Sequence, residues 1–272
     1  MKSKELFPAI FSRHAAAYQE RLDQLMARGE AIGRQRVIDA LEAKPGMRVL
    51  DLACGPGTLS KPLAALVAPG GEVFGVDLAP GMIDLARTLG IPNARFEVMD
   101  IENLDFGDAS FDAAACGHGL QFVPNLSRAL GEAHRVLRPG ARFAASIPVD
   151  DARQAWAALD EVVNRRLPPA PQAVDRATTR GIVGDAAAFR EAILGAGFAR
   201  ADVEVLEEKV VWDSAEQLVM RALSWWDVAS RVDALAPDTR DDFVVEAVAA
   251  VRRDHPGRIE TFARNHVAIA TA

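Results

Sequence analysis

The run Asp51-Leu52-Ala53-Cys54-Gly55-Pro56-Gly57-Thr58-Leu59-Ser60 is the part of this sequence best placed to do chemistry. It follows the apolar segment Met47 to Leu52 and opens a helix. Gly55 and Gly57 carry no Cβ, so the backbone can come close to a ligand at a strand-to-helix turn. A full dinucleotide fingerprint asks for a further glycine where Ser60 stands, and it does not ask for the acid Asp51. Two more acids close strand-like segments: Asp77 after Phe74-Gly75-Val76, and Asp100 after Val98-Met99. His118, in Cys116-Gly117-His118-Gly119, sits just past the carboxyl end of a strand-like segment. Open α/β sheets place their ligand crevice there. A histidine in that position can take a proton from a hydroxyl, an amine or a carbon acid. The plainer reading is a hydrogen-bonded pocket wall. Tyr18, the sole tyrosine, is read either as a ligand contact or as helix packing.

The elements that must position these residues follow from periodicity. Residues 19–42 carry apolar side chains at helical spacing and end at Pro45-Gly46. Strand-like segments then lie at 47–52, 72–77, 95–99, 111–116 and 142–147. Helical segments at 80–89 and 124–137 fall between them. This alternation predicts an α/β fold, doubly wound and Rossmann-like, with helices on both faces of a parallel sheet. After Pro148 the rhythm changes. Residues 151–166 read as helix, and the Pro-rich 167–179 as a lid-like connection. Residues 185–194 read as helix and 202–212 as strand. Ser214 and Gln217 have capping-box spacing and open a helical region reaching Arg253. Residues 259–269 read as a last strand, which makes seven, with the last expected antiparallel. The expected organisation is an N-terminal helical cap (1–46) and a core of 47–213 with 256–272. Within the core 149–184 is the lid-like connection, and 214–255 is a helical insertion that completes the cap.

Composition narrows the class. Half the residues are hydrophobic and a quarter charged, as in an ordinary globular chain. The net charge is −7 and no basic run exceeds a pair, which argues against a nucleic-acid partner. No signal-like start is seen, and the uncharged stretch 113–127 is too short and too Gly/Pro-interrupted to span a bilayer. No membrane insertion is therefore expected, and the location is expected to be cytoplasmic, with Cys54 and Cys116 as reduced thiols. Neither CxxC nor HExxH spacing occurs, so no metal is expected. A homodimer is left open.

Asp51-x-Ala53-x-Gly55-x-Gly57 resembles motif I, [DE]-x-[GA]-x-G-x-G, of the class I S-adenosylmethionine-dependent methyltransferases. Asp77 looks like that family's second-strand acid, which accepts both ribose hydroxyls, and it is followed by Leu78-x-Pro80-x-Met82, similar to the helix start beneath the adenine. In Val98-Met99-Asp100-Ile101, Asp100 looks like the third-strand acid, which in that family faces the adenine amino group. Arg135-Val136-Leu137-Arg138-Pro139-Gly140 resembles the signature before the fifth strand. Phe11 to Tyr18 and Gly119 to Pro124 are similar to the ubiquinone/menaquinone-biosynthesis C-methyltransferase type and to bacterial small-molecule methyltransferases. The resemblance implies S-adenosylmethionine as cofactor and S-adenosylhomocysteine as product. It implies cofactor contacts at Asp51, Ala53, Cys54, Gly55, Gly57, Asp77, Leu78, Met82, Asp100, Ile101, Cys116, Gly117 and Tyr18, with His118 and Tyr18 as catalytic candidates.

The acceptor is expected to be a small apolar or aromatic metabolite, natural-product or quinone-like, methylated at carbon, oxygen or nitrogen. Trp225-Trp226 with Met220 and Leu223 read as pocket lining or, more plainly, as core. His266 reads as structural, and His14, His134 and His255 have no supporting context. The rival readings are a methyltransferase-fold protein that binds the cofactor but catalyses another step or regulates, and an NAD-dependent oxidoreductase.

Overall fold

The computed structural model describes residues 2–151, 156–173, 175–223 and 226–272. Its centre is a seven-stranded sheet in the order β3-β2-β1-β4-β5-β7-β6. Strand β1 (Arg48–Leu52) pairs in parallel with β2 (Glu72–Asp77) on one side and β4 (Phe111–Gly117) on the other. Strand β3 (Ala94–Val98) extends the sheet beyond β2, and β5 (Leu137–Asp151) extends it beyond β4, both in parallel. Strand β7 (Ile259–Thr271) runs antiparallel to both its neighbours, β5 and β6 (Arg200–Trp212). It is the one reversed strand, as the sequence predicts.

Alternation along β1 explains why helices must cover both faces. Val49 enters one apolar cluster, with Val37, Leu63 and Val267. Leu50 and Leu52 enter the other, with Phe74, Phe111 and Phe143. One face is covered by α3 (Ile32–Ala40) and α4 (Ser60–Val67), the other by α6 (Leu126–Val136) and α9 (Ala186–Gly195). Helix α5 (Pro80–Thr88) follows β2. Strand order reverses between β1 and β4, which creates a crevice at their carboxyl ends.

A separate apolar cluster lies over that crevice. It joins Leu22 of α2 (Ala15–Ala27), Val162 of α7 (Ala157–Arg166), Leu218 of α10 (Ala215–Ala222) and Phe243 of α12 (Pro237–Asp254). Trp212 and Ile259 belong to it too. They sit on an arm where β6 and β7 continue together past the end of β5, from Lys209↔Phe262 to Trp212↔Ile259. The indole Nε1 of Trp212 donates to Thr261 Oγ1 at 2.9 Å and holds the arm together.

Several boundaries differ from the expectations. The helical segment 19–42 is two helices, broken at Gly29, whose φ of +66° ends α2. A further helix, α1 (Ser3–Arg13), precedes it despite Pro8. The region 214–253 is three helices, α10, α11 (Trp226–Val232) and α12, with Pro237 opening the last. Strand β5 begins at Leu137 rather than at 142, through a bulge opposite Phe111. Residue 151 ends β5, and α7 begins only at Ala157. Residues 152–155 of the predicted helix 151–166 lie outside the described residues, as does Trp225. The connection read as 167–179 gives way to α8 (Ala177–Gly184). Ser214 Oγ does accept from Gln217 N–H, but Gln217 Oε1 reaches Asp213 N–H rather than Ser214. His266 is buried with Nδ1 on Val183 O at 2.9 Å, as a structural residue would be.

Candidate active site

The turn after β1 is built from backbone that side chains disfavour. Ala53, Gly55 and Gly57 all have positive φ, at +52°, +55° and +85°. Ala53 is the costly member, because it carries a Cβ in left-handed backbone. What holds it is the carboxylate network below. Asp51 is 1% exposed, and its Oδ2 accepts from Ser60 Oγ at 2.6 Å. Ser60 is the first residue of α4, so this bond ties the end of β1 to the start of the next helix. Burial pushes the Asp51 pKa up to about 7, with the Ser60 hydroxyl opposing and the Asp77 charge adding to the rise.

Asp77 anchors the turn from the neighbouring strand. Its Oδ2 accepts from Gly55 N–H at 2.9 Å and its Oδ1 from Ala79 N–H at 2.8 Å. Burial raises its pKa, and those backbone donors hold it back. On the other side, Gly119 packs against the same turn. A Cβ there would stand 2.4 Å from the Ala53 Cβ and 2.9 Å from Cys116 Sγ.

His118 follows β4 with φ +64°. Its N–H donates to Ser146 O at 2.9 Å, and its carbonyl accepts from Gln121 Nε2 at 2.8 Å. The ring nitrogen Nε2 is buried and makes no hydrogen bond within the chain. Burial lowers its pKa well below the usual histidine value, the Arg34 and Arg21 charges lower it further, and Asn265 opposes. The imidazole is therefore neutral at physiological pH and able to accept a proton.

Two cavities meet at this histidine. The smaller, about 120 Å³, is walled by the turn, the end of β2 and helix α1. The larger, about 350 Å³, lies between the sheet and the helices above it. Phe11, Tyr18, His118 and Phe122 line both. Phe122 packs tilted against Phe7 and edge-on against Phe11 with ring centroids 4.8 and 5.2 Å apart, and Tyr18 stands edge-on to Phe11 at 5.8 Å. Tyr18 Oη also accepts from Arg34 Nη2 at 3.3 Å.

Of the residues singled out in the sequence, Tyr18, Ala53, Gly55, Asp77, Leu78, Met82, Asp100, Ile101, Gly117 and His118 line the smaller cavity. Asp51, Cys54, Gly57 and Cys116 line neither. Asp51 instead binds Ser60. A Cβ on Gly57 would meet Leu89 at 2.8 Å, so that glycine serves the turn. Both thiols are buried and free. Burial drives the Cys54 pKa well above its usual value and that of Cys116 to about 12, so neither is a nucleophile.

Helix α1 lies within the expected cap of residues 1–46, but the sequence reading did not single out the residues by which it reaches the site. Lys4 Nζ lies 2.6 Å from both Asp100 Oδ2 and Glu102 Oε2, which brings α1 down over the crevice. Ser12 Oγ accepts from Gly81 N–H at 3.1 Å, so the end of α1 docks on the start of α5. The signal was a helical apolar stripe of Leu6, Phe7 and Ile10.

Comparison with known proteins agrees with this geometry. Residues 50–145 match a family described as a methyltransferase domain. A 2-phytyl-1,4-naphthoquinone methyltransferase from a Nostoc species is 38% identical over 141 residues, covering 50% of this chain and 62% of that protein. A demethylmenaquinone methyltransferase from Symbiobacterium thermophilum is 32% identical over 146 residues, covering 52% and 56%. The chain thus spans less than two thirds of the length of these curated relatives. Among solved structures, the YcgJ protein from Bacillus subtilis shares the fold with a TM-score of 0.55 at 16% identity, over 88% of this chain and 97% of that one.

Proposed function

Because the chain belongs to the class I S-adenosylmethionine-dependent methyltransferase superfamily, we propose that it methylates a small apolar or aromatic metabolite with S-adenosylmethionine. The observation that carries this reading is the meeting of two cavities at His118, one walled by the glycine turn and Asp77, the other by the capping helices. The first would hold the cofactor and the second the acceptor.

The residues fit the cofactor. Asp77 uses one lone pair on each oxygen for backbone N–H groups, and a carboxylate has about four acceptor sites. Two remain for a pair of ribose hydroxyls. The positive-φ turn and the bare Cα of Gly119 keep side chains out of the cradle. Met82, Leu78 and Ile101 supply the apolar surface a nucleobase needs. Asp100 stands at the same wall, engaged by Lys4, which would have to share it with the adenine amino group.

The bound cofactor supplies an electrophilic methyl on a sulfonium, so no metal is required of the protein. The chain's task is alignment and exclusion of water, which can lower a barrier by several kcal/mol. Phe11, Phe122 and Tyr18 form the aromatic wall at the junction. His118 Nε2 is the one neutral base in both cavities among the described residues, and it would take the proton of an acceptor that must lose one. The helices of residues 1–46 and 214–255 would form the cap that selects the acceptor. The buried free thiols support a cytoplasmic setting.

Calorimetry with S-adenosylhomocysteine tests the cofactor assignment. Binding in the wild type and its loss in Asp77→Ala are expected, and unchanged affinity in that variant sinks the assignment. A screen of aromatic acceptors for S-adenosylhomocysteine release, with mass spectrometry of the product, tests the transfer itself.

A further inference from the structure

Three side chains at one end of the larger cavity carry buried polar atoms that no described residue engages. Asn265 is 1% exposed, and neither Nδ2 nor Oδ1 of its amide makes a hydrogen bond. Gln121, also buried, has its Oε1 unengaged, and His118 has its Nε2. All three line the larger cavity, and of these only His118 also lines the smaller one. They form one cluster. Gln121 Nε2 donates to the His118 carbonyl at 2.8 Å. Asn265 opposes the fall in the His118 pKa, which puts its amide beside the imidazole. The sheet register agrees. His118 N–H donates to the carbonyl of Ser146 on β5, and Ser146 and Pro148 lie opposite Val267 and Asn265 of β7.

Asn265 is backed by packing. It shares one face of β7 with Val267 and Ile269, which pack into the apolar cluster under α3. A Cβ on Gly33 of α3 would stand 3.1 Å from Asn265 Cγ, so a glycine lets the helix pass closely over the amide. Gly33 N–H donates to Glu208 Oε1 at 2.7 Å, which holds α3 in that position. An amide enclosed this way costs stability unless something pairs with it.

The balance of donors and acceptors defines what can pair. Gln121 Nε2 is spent on a carbonyl, so the atom left over is an acceptor. The Asn265 amide offers one donor atom and one acceptor atom whichever way it is turned. His118, as a neutral base, accepts at Nε2. Acceptors therefore outnumber donors in the cluster. A ligand carbonyl would serve only the amide Nδ2, and a carboxylate would be set against two amide oxygens. A hydroxyl donates to an amide oxygen and accepts from Nδ2 at once.

We propose that the acceptor is a neutral aromatic diol, with one hydroxyl on His118 Nε2 and a second, on the neighbouring ring carbon, between the Asn265 amide and Gln121 Oε1. Its ring body lies on the wall of Leu22, Leu25, Trp156 and Trp212. This rests on the methyltransferase reading and narrows its substrate class. Asn265 and Gln121 are then the residues that select the second hydroxyl.

The test uses three probes: 2,3-dihydroxynaphthalene, 2-naphthol, which lacks the second oxygen, and 3-hydroxy-2-naphthaldehyde, which has a carbonyl there. Each is titrated by calorimetry into wild-type protein saturated with S-adenosylhomocysteine, and the diol is also titrated without it. A site with buried groups left unpaired discriminates by about tenfold or more, so the diol should bind tighter than both other probes by that factor. Asn265→Leu, close in shape, should bring the diol down to the affinity of 2-naphthol, and Gln121→Met should narrow the gap. S-adenosylhomocysteine affinity should stay within about twofold in both variants. Melting curves show which variants are folded, and the wild-type comparison decides by itself if neither is. Equal affinity of the diol and either other probe, or no binding of the diol, overturns the proposal. So does an undiminished preference for the diol in folded Asn265→Leu, which would leave the amide to solvent. A loss of S-adenosylhomocysteine affinity in that variant with the preference intact also overturns it, by assigning the amide to the cofactor. Failure of S-adenosylhomocysteine to bind the wild type is a separate outcome. It sinks the methyltransferase reading, and the titration without it still decides the diol site.

Discussion

Ser60 Oγ and Asp51 Oδ2 are 2.6 Å apart, and this one bond joins the end of the central strand to the beginning of the helix that follows the glycine turn. Ser60 is fully buried. Its replacement by alanine leaves a buried carboxylate without its side-chain donor, at a cost of about 1–3 kcal/mol. Ser60→Ala is expected to lower the melting temperature by several degrees, at about 2–4 °C per kcal/mol for a chain of this class. It should also weaken S-adenosylhomocysteine binding, since the turn loses its tether. Differential scanning calorimetry with and without the ligand checks both.

The same pair sets a pH dependence. The folded-state pKa of Asp51 is raised to about 7 from 3.8. Between those values the folded chain holds a proton that the unfolded chain has released, so stability falls as pH rises through this window. Asp77, also raised, has the same sign. His118, lowered, has the opposite sign and acts below its ordinary value. Asp51→Asn removes only the first contribution. Its stability relative to wild type should therefore rise from pH 5 to pH 8 and level off above. Urea unfolding at several pH values measures this, and a flat difference refutes it.

Substitution of His118 separates a proton-accepting role from a binding role. If its Nε2 takes the acceptor's proton, His118→Ala should lower kcat by about 10²–10⁴-fold. S-adenosylhomocysteine affinity should stay within about threefold. Because the pKa is depressed, the acid limb of the kcat/KM profile should lie below the usual histidine range. Equal losses in turnover and cofactor affinity would make it a wall of the pocket instead. Asn is the better control at this position, since it tolerates the positive φ.

Gly119 offers a steric test. An added methyl would stand 2.4 Å from the Ala53 Cβ, and Ala53 is already in left-handed backbone. Overpacking of this kind costs about 1–3 kcal/mol. Gly119→Ala should therefore destabilise the fold by that order and reduce S-adenosylhomocysteine affinity more than tenfold. A variant that binds the ligand normally would show that the turn can move aside.

The centre of the sheet was legible because β1, β2 and β4 are short, nearly continuous apolar runs separated by helices, a pattern that admits few topologies. The turn was legible because Gly55, Gly57 and the acids stand at fixed offsets. Ser60 was legible only as a missing glycine. Its bond to Asp51 closes across the turn, and spacing alone does not reveal which hydroxyl faces which carboxylate. The contacts of helix α1 escaped because Pro8 interrupts its short apolar stripe, and Lys4 and Ser12 meet their partners only when the crevice exists.

Strand β6 pairs only with β7, yet β7 follows it in the chain with α10, α11 and α12 between them. During synthesis, β6 therefore emerges with no edge to join. The first five strands can assemble on their own, since each pairs with another of the five. The outer third of the sheet must wait until β7 is made and slots between β5 and β6. The arm that carries Trp212 is completed in that same step. The larger cavity is thus the last part of the molecule to exist, and a ribosome-bound chain could complete the glycine turn well before it.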